Sequence, residues 1–286
     1  MTSIERVGVL GAGLMGSGIA EVCARAGSDV VVVEMNPDAA AAGLARITAS
    51  LERAVNSGKL DAGDRAAALA RIRMGTEFEA FADRQLVIEA VPEVPGLKDE
   101  AFRRIDAAVR DPEAILASNT SSIPISRIAS ATSRPEHVLG MHFFNPVPVL
   151  KLVELVPSLR TSAQAVERIR DYATAALGKK VITAPDRAGF VVNALLVPYM
   201  LSAIRMLEAG FATAEDIDTG MVEGCAHPMG PLRLTDLVGL DTTLHVANSL
   251  YAEFKEPHLA PPALLMRMVE SGLLGRKSGL GFYNYP

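Results

Sequence analysis

The stretch 7-VGVLGAGLMGSGIAEVCARAGSDVVVVE-34 decides the fold. Val7 to Leu10 is a short apolar run of strand type. It breaks into Gly11-Ala12-Gly13-Leu14-Met15-Gly16, after which Ser17 to Ala26 sets small and apolar residues at helical spacing until Gly27 stops them. Asp29 to Glu34 returns to β-branched residues and ends in an acid. Strand, glycine-rich turn, helix and strand make a βαβ unit.

A GxGxxG alone carries little weight, because glycines gather wherever backbone approaches backbone. Placed between a strand and a helix, each part has a task. Gly11 allows the tight turn, Gly13 lets main chain approach a pyrophosphate, and Gly16 lets helix pack on strand. Free N-H groups at the helix start, where Ala12, Leu14 and Met15 lie, suit the phosphate charge. Glu34 stands 18 residues after Gly16, near the spacing of the acid that holds an adenosine ribose. A carboxylate accepts from ribose hydroxyls and repels a 2′-phosphate, and Met35-Asn36-Pro37 offers no cation to receive one. NAD is therefore expected rather than NADP. The bland alternative is a βαβ turn with a surface glutamate.

Outward from this unit, helical patterning runs from Pro37 to Arg73 with a polar break at Asn56-Ser57-Gly58, which predicts a helical hairpin inserted after the second strand. Strand-like runs follow at Leu86 to Val91, Ala114 to Ser118 and Val138 to Phe144, with a helix-like segment from Lys98 to Val109. Such alternation predicts an α/β, Rossmann-type doubly wound sheet. Lys179 to Asp186 reads as a last strand and a turn. Beyond about Gly189 strand signals fade and helical spacing holds through Phe190 to Leu207, Ala214 to Gly224 and Pro231 to Tyr251. The expected organisation is a dinucleotide-binding domain over 1–185 and an all-helical domain over 186–286.

At 286 residues and a net charge of -5, the chain has room for one large and one small domain and lacks the basic footprint that nucleic acid selects. Cys23 and Cys225 stand far apart without metal-ligand spacing, so neither a disulfide framework nor a metal site is expected. The chain enters a strand by Val7 and no apolar run reaches the roughly 20 residues of a membrane span. No export signal and no membrane partner are expected, and a cytoplasmic location is.

Metal-free alcohol dehydrogenation needs a base for the hydroxyl proton near the point of hydride transfer. Among five histidines, His142 ends the apolar strand that begins at Val138, and strand ends of open sheets are where ligands bind. Twelve residues on, Glu154 lies in a short β-like run, Leu152 to Val156, beyond the turn residues Pro146 and Pro148. A hairpin that joined the two would give an imidazole oriented by a carboxylate; a core histidine with an unrelated glutamate is the open alternative. Ser118-Asn119-Thr120-Ser121-Ser122, after another strand, offers hydroxyls to a substrate oxygen, or else simply forms a turn or cap.

Taken together, the chain resembles the 3-hydroxyacyl-CoA dehydrogenases over nearly its whole length. The resemblance rests on the glycine-rich turn from Gly11 to Gly18, Ser118 to Ser122, Met141-His142-Phe143-Phe144-Asn145-Pro146-Val147-Pro148, Gly189-Phe190-Val191-Val192-Asn193, His227-Pro228-Met229-Gly230-Pro231 and Gly275 to Tyr283. It implies an acyl-CoA substrate, NAD as cofactor, His142 as base, Glu154 as its partner, and Ser121 and Asn193 on the substrate's oxygens. It further implies that Ala90, Glu93, Lys98, Asn145 and Lys277 lie along the cofactor, and that Ser50 and Arg53 of the hairpin meet coenzyme A. Ser57 and Ala194 depart from the basic residues usual at those positions. A homodimer in fatty-acid metabolism is the implied setting. Two other functions stay open: a related dehydrogenase of a free 3-hydroxy sugar acid such as gulonate, and a non-catalytic NADH-binding protein.

Overall fold

The computed structural model describes residues 4–285. Contacts divide the chain into two compact units, with the break after Arg187.

In the first unit, β1 (Arg6–Leu10), β2 (Asp29–Val33), β3 (Ile72–Gly75), β4 (Leu86–Glu89), β5 (Ile115–Ser118), β6 (Val138–Phe143), β7 (Leu152–Pro157) and β8 (Lys180–Thr183) form one sheet. Its order is β3-β2-β1-β4-β5-β6-β7-β8. The strands from β3 to β6 pair in parallel, β7 runs antiparallel to β6, and β8 is parallel to β7. Strands such as Val30 to Val33 and Leu86 to Ile88 are almost wholly buried because helices cover both faces, which is why they read as continuous apolar runs. The helix α1 (Leu14–Arg25) follows β1, and the hairpin α2 (Pro37–Asn56) and α3 (Ala62–Ala70) follows β2. Ile19, Ala20 and Cys23 of α1 pack with Ile47 and Leu51 of α2 in the core of this unit. The chain order reverses where β1 lies between β2 and β4, and that reversal opens a crevice beyond the strand ends.

The expected helical hairpin is present, but its pattern does not run to Arg73: Ile72 starts β3, which pairs with β2 through Val30 and Ile72. Four residues are too few to override the alanine-rich helical signal upstream. Next come α4 (Pro95–Ala108), α5 (Ile125–Ser130) and α6 (Ala163–Asp171).

The second unit contains α7 (Val192–Glu208), α8 (Ala214–Cys225), α9 (Pro231–Val238), α10 (Leu240–Phe254) and α11 (Ala263–Glu270) around a core that includes Leu201, Ile204, Leu232, Leu240 and Leu265. The predicted Pro231 to Tyr251 helix is two helices, because Gly239 takes φ +102° between them and ends the first. No helix among the described residues is long and apolar enough to cross a membrane.

Candidate active site

The crevice at the strand reversal is a cavity of about 960 Å³, walled by Gly11 and Gly13 after β1, Glu34 after β2 and Ala90 and Val91 after β4. Leu14 and Met15 line it as well. Its glycines differ in what a side chain at each would meet. Gly11 has φ +91°, and a Cβ there would stand 2.9 Å from the Ala90 carbonyl oxygen; one on Gly16 would stand 1.8 Å from the Gly11 oxygen. A Cβ on Gly13 would meet no atom within 4 Å, so its missing side chain leaves room on the crevice side rather than relieving a contact. Gly13 caps α1 without any side-chain hydrogen bond, and the helix has no acid in its first turn. Its first amides therefore keep their capacity for an anion.

Glu34 is half-buried. Its Oε1 accepts from the Ala12 N-H at 2.5 Å and its Oε2 from the Met35 N-H at 3.0 Å. The carboxylate thus ties the glycine-rich turn to the end of β2, and each oxygen retains further acceptor capacity for a ribose. A dinucleotide fits these residues. Several further wall residues escaped sequence reading, among them Thr76, Phe78 and Arg104. Thr76 follows β3, while Phe78 and Arg104, whose guanidinium lies 3.8 Å from the Phe78 ring centre, come from separate parts of the chain. A stripe on α4, Leu97, Ala101 and Arg104, was the available sign.

His142 and Glu154 are opposite each other in the antiparallel β6–β7 pair. The His142 Nδ1 is 2.7 Å from the Glu154 Oε2, with the two side chains 8% and 0% exposed. Cross-strand register, rather than chance packing, brings them together, since directly opposed residues share a face. The Phe144 ring lies 4.6 Å from the imidazole, centre to centre. The Phe143 N-H donates to the Asn119 Oδ1 at 2.9 Å, fixing the end of β6 beside the turn after β5.

That turn separates the structural from the available hydroxyls. The Ser118 Oγ donates to the Glu89 Oε2 at 2.6 Å and accepts from the Thr120 N-H. The Thr120 Oγ1 donates to Glu93 and accepts from the Ile123 N-H, and the Ser122 Oγ donates to Glu93 at 3.1 Å. The turn-forming reading thus holds for these side chains. Ser121 engages Glu93 only through its N-H, at 3.0 Å, and its hydroxyl has no partner among the described residues.

Beneath the turn lies a buried charge cluster. The Lys98 Nζ, 1% exposed, is 2.6 Å from the Glu89 Oε1 and 3.3 Å from the Glu93 Oε2. Burial pushes the Glu93 carboxyl upward, but Lys98 and the hydrogen bonds from Thr120 and Ser121 outweigh it and hold the group below its ordinary range. Lys98 is buried and does not line the 960 Å³ cavity; its single charge is shared between the two acids that hold the turn. Glu89, ending an apolar strand as Glu34 follows one, carried a legible signal that was passed over.

A smaller cavity of about 220 Å³ is walled by Ser50 and Arg53 of α2, Gly18 of α1 and Asn145. Asn145 therefore shares a wall with the residues implied for coenzyme A. Arg46 also lines it, and donates to the Ala12 oxygen at 3.0 Å. In the second unit, Asn193 lies in the first turn of α7, half-buried, and Lys277 pairs with Asp241 at 2.5 Å. Among the described residues no group of three or more His, Cys, Asp and Glu is arranged to hold a metal.

Two family models match the chain. The NAD binding domain of 3-hydroxyacyl-CoA dehydrogenase covers residues 6–187, and the C-terminal domain of 3-hydroxyacyl-CoA dehydrogenase covers 189–285. A 3-hydroxybutyryl-CoA dehydrogenase of Mycobacterium tuberculosis is 59% identical over 99% of both chains. The crystal structure of M. tuberculosis FadB2 superposes with a TM-score of 0.99 at 58% identity over 100% of both chains. That of (S)-3-hydroxybutyryl-CoA dehydrogenase PaaH1 from Ralstonia eutropha gives 0.94 at 45% identity, over 99% of this chain and 100% of that one.

Proposed function

This chain belongs to the 3-hydroxyacyl-CoA dehydrogenase family, and from that premise we propose that it oxidises (S)-3-hydroxyacyl-CoA reversibly to 3-oxoacyl-CoA with NAD, on a short acyl group such as 3-hydroxybutyryl. The observation that carries the reading is the 2.7 Å His142–Glu154 pair in the same sheet whose strand reversal opens the glycine-walled crevice.

Bound NAD would accept the hydride from C3. The Gly11 to Gly16 turn and the first amides of α1 would hold its pyrophosphate, and Glu34 its adenosine ribose. Glu154 fixes the His142 tautomer through Nδ1 and stabilises the imidazolium, so that Nε2 takes the C3 hydroxyl proton and returns it in reduction. The Ser121 hydroxyl, without a partner among the described residues, is available to the C3 oxygen, and Asn193 is assigned to the substrate's oxygens. Glu93 and Lys98 serve by holding the Ser121 turn, Lys277 is assigned to the cofactor, and Asn145 is assigned to the cofactor side of the wall it shares with Ser50 and Arg53, which meet coenzyme A.

We further propose a cytoplasmic homodimer that works in fatty-acid metabolism. Leu195 and Phe211 of the second unit, 73% and 79% exposed, are apolar groups that a partner subunit would cover. The deciding assay follows NADH consumption with acetoacetyl-CoA, with NADPH and free 3-oxo acids as controls. Turnover of the thioester with NADH and little with NADPH is expected. Activity confined to free acids would install the sugar-acid reading, and NADH binding without any turnover the non-catalytic one.

A further inference from the structure

The loop that joins the two strands of the His142–Glu154 pair, residues 144–151, passes between two cavities. Asn145, Pro146 and Val147 wall the space of about 220 Å³, and Pro148 borders both it and a further one of about 450 Å³ beside the end of α1. With open space on either flank, few contacts fix where the loop lies. Pro146 and Pro148 have no N-H to donate, and the Val149 and Leu150 N-H groups turn inward to the Pro146 carbonyl oxygen at 3.0 and 2.9 Å. The loop is held by a seat on one side and a clamp on the other.

The seat is Gly18 of α1. A Cβ there would stand 2.8 Å from the Val147 Cβ, so the valine, itself buried, occupies room that the glycine leaves. The clamp is Lys179. Its N-H donates to the Ala173 carbonyl oxygen at 2.8 Å, and the next residue, Lys180, pairs with Leu152 at the start of β7, so the side chain sets out from beside the far end of the loop. Its Nζ donates to the Val147 and Leu150 carbonyl oxygens at 2.6 and 2.7 Å, and no other donor among the described residues reaches either oxygen.

The lysine is only 7% exposed, and no carboxylate among the described residues pairs with it. The charged groups that share the larger cavity with it are Arg25, Lys59 and Arg71, against one acid, Asp64. Burying an ammonium without a counter-ion is costly. Ion pairing therefore does not account for a lysine at this position, whereas two hydrogen bonds to carbonyls that have no other donor do.

We infer that Lys179 is a positioning residue for hydride transfer: it holds the loop on its Gly18 seat, and with the loop Asn145 and the adjoining ends of the strands that carry His142 and Glu154. The inference rests on the dehydrogenase reading above and gives Lys179 no contact with substrate or cofactor.

The test measures kcat and KM for acetoacetyl-CoA, and NADH affinity by fluorescence titration, in the natural chain and in Lys179→Met, Lys179→Ala and Gly18→Ala, with circular dichroism as the check on folding. Lys179→Met, of similar size but unable to donate, should lower kcat by about ten- to a hundredfold while KM and NADH affinity stay within about threefold. In Lys179→Ala the 450 Å³ cavity gives a small amine a path to the place of the missing ammonium. There n-propylammonium should restore kcat saturably, and tetramethylammonium, charged but without an N-H, should not. Gly18→Ala presses on Val147 from the other side and should show the same loss of kcat, although alanine favours a helix over glycine; it carries the test should Lys179→Met fail to fold. A kcat unmoved by these substitutions, a loss that falls on KM alone, or one that propylammonium leaves in place or tetramethylammonium relieves equally, overturns the positioning role and leaves the activity standing. A natural chain that turns over no acetoacetyl-CoA defeats the dehydrogenase reading itself, and the positioning role with it.

Discussion

At the scale of single residues, the proposed chemistry rests on the His142 imidazole, held by Glu154 at Nδ1. Glu154 is fully buried and spends an oxygen on the His142 Nδ1, so its charge acts with little screening. His142→Ala should fold, bind NADH and lose about two to four orders of magnitude in kcat. Glu154→Gln preserves shape but removes the charge; kcat should fall by a comparable factor while the NADH dissociation constant moves little, as stopped-flow turnover and fluorescence titration would show. Near-normal turnover in either variant would remove the assigned base or its partner. The proposed role of Glu34 in cofactor choice includes its charge: Glu34→Ala should raise the kcat/KM ratio of NADPH to NADH, and an unchanged ratio would place the discrimination elsewhere. Sequence reading singled out His142, Ser121 and Glu34 because each stands at or shortly after the end of an apolar run, and Glu154 because it lies in a short strand twelve residues beyond His142. It could not say that the Ser121 hydroxyl alone lacks a partner in its turn, since that depends on where Glu89 and Glu93 arrive from 25 or more residues away.

At the scale of elements, the turn after β5 is held by a carboxylate rather than by its own sequence. Glu93 accepts from Ser121 and Ser122 amides and from Thr120, and Lys98 balances it. Because its pKa is lowered in the folded state, the stability it contributes is present above the ordinary value of 4.5 and is lost as pH falls below it. Glu93→Gln should flatten that acid limb in urea unfolding between about pH 3 and 5, and lower kcat/KM by about ten- to a hundredfold at neutral pH through misplacement of Ser121. An unchanged acid limb would show that Glu93 does not carry it. Gly239 makes a second element-scale case. With φ +102° it separates α9 from α10, and Gly239→Ala should cost about 1–3 kcal/mol, read as a lowered denaturation midpoint. The single long helix predicted from Pro231 to Tyr251 missed this break because apolar spacing persists across it; the glycine was the visible sign.

At the scale of the whole molecule, the proposed homodimer is open to test at two exposed apolar side chains of the second unit, Leu195 and Phe211. Replacing Leu195 and Phe211 together with Asp should shift light-scattering mass from twice the chain toward one chain without unfolding it; a natural chain already of single mass would end the dimer proposal. The opening strand-turn-helix-strand unit, the hairpin after β2 and the change to all-helical structure after about Gly189 were legible in the sequence, because hydrophobic period and glycine placement are local consequences of backbone geometry; α5 and α6 were not read from it. The short strand β3 was not, being an edge partner of β2 with too few residues to declare itself. By itself the sequence determined a βαβ start, a cradle for a dinucleotide and a histidine at a strand end. Only the tertiary structure decided that His142 and Glu154 stand opposite in register, that Lys98 is buried between two acids, and that four distant cations border one cavity. Those juxtapositions join residues from separate strands and helices, and no periodicity along a chain encodes the distance between segments that meet only when the sheet closes.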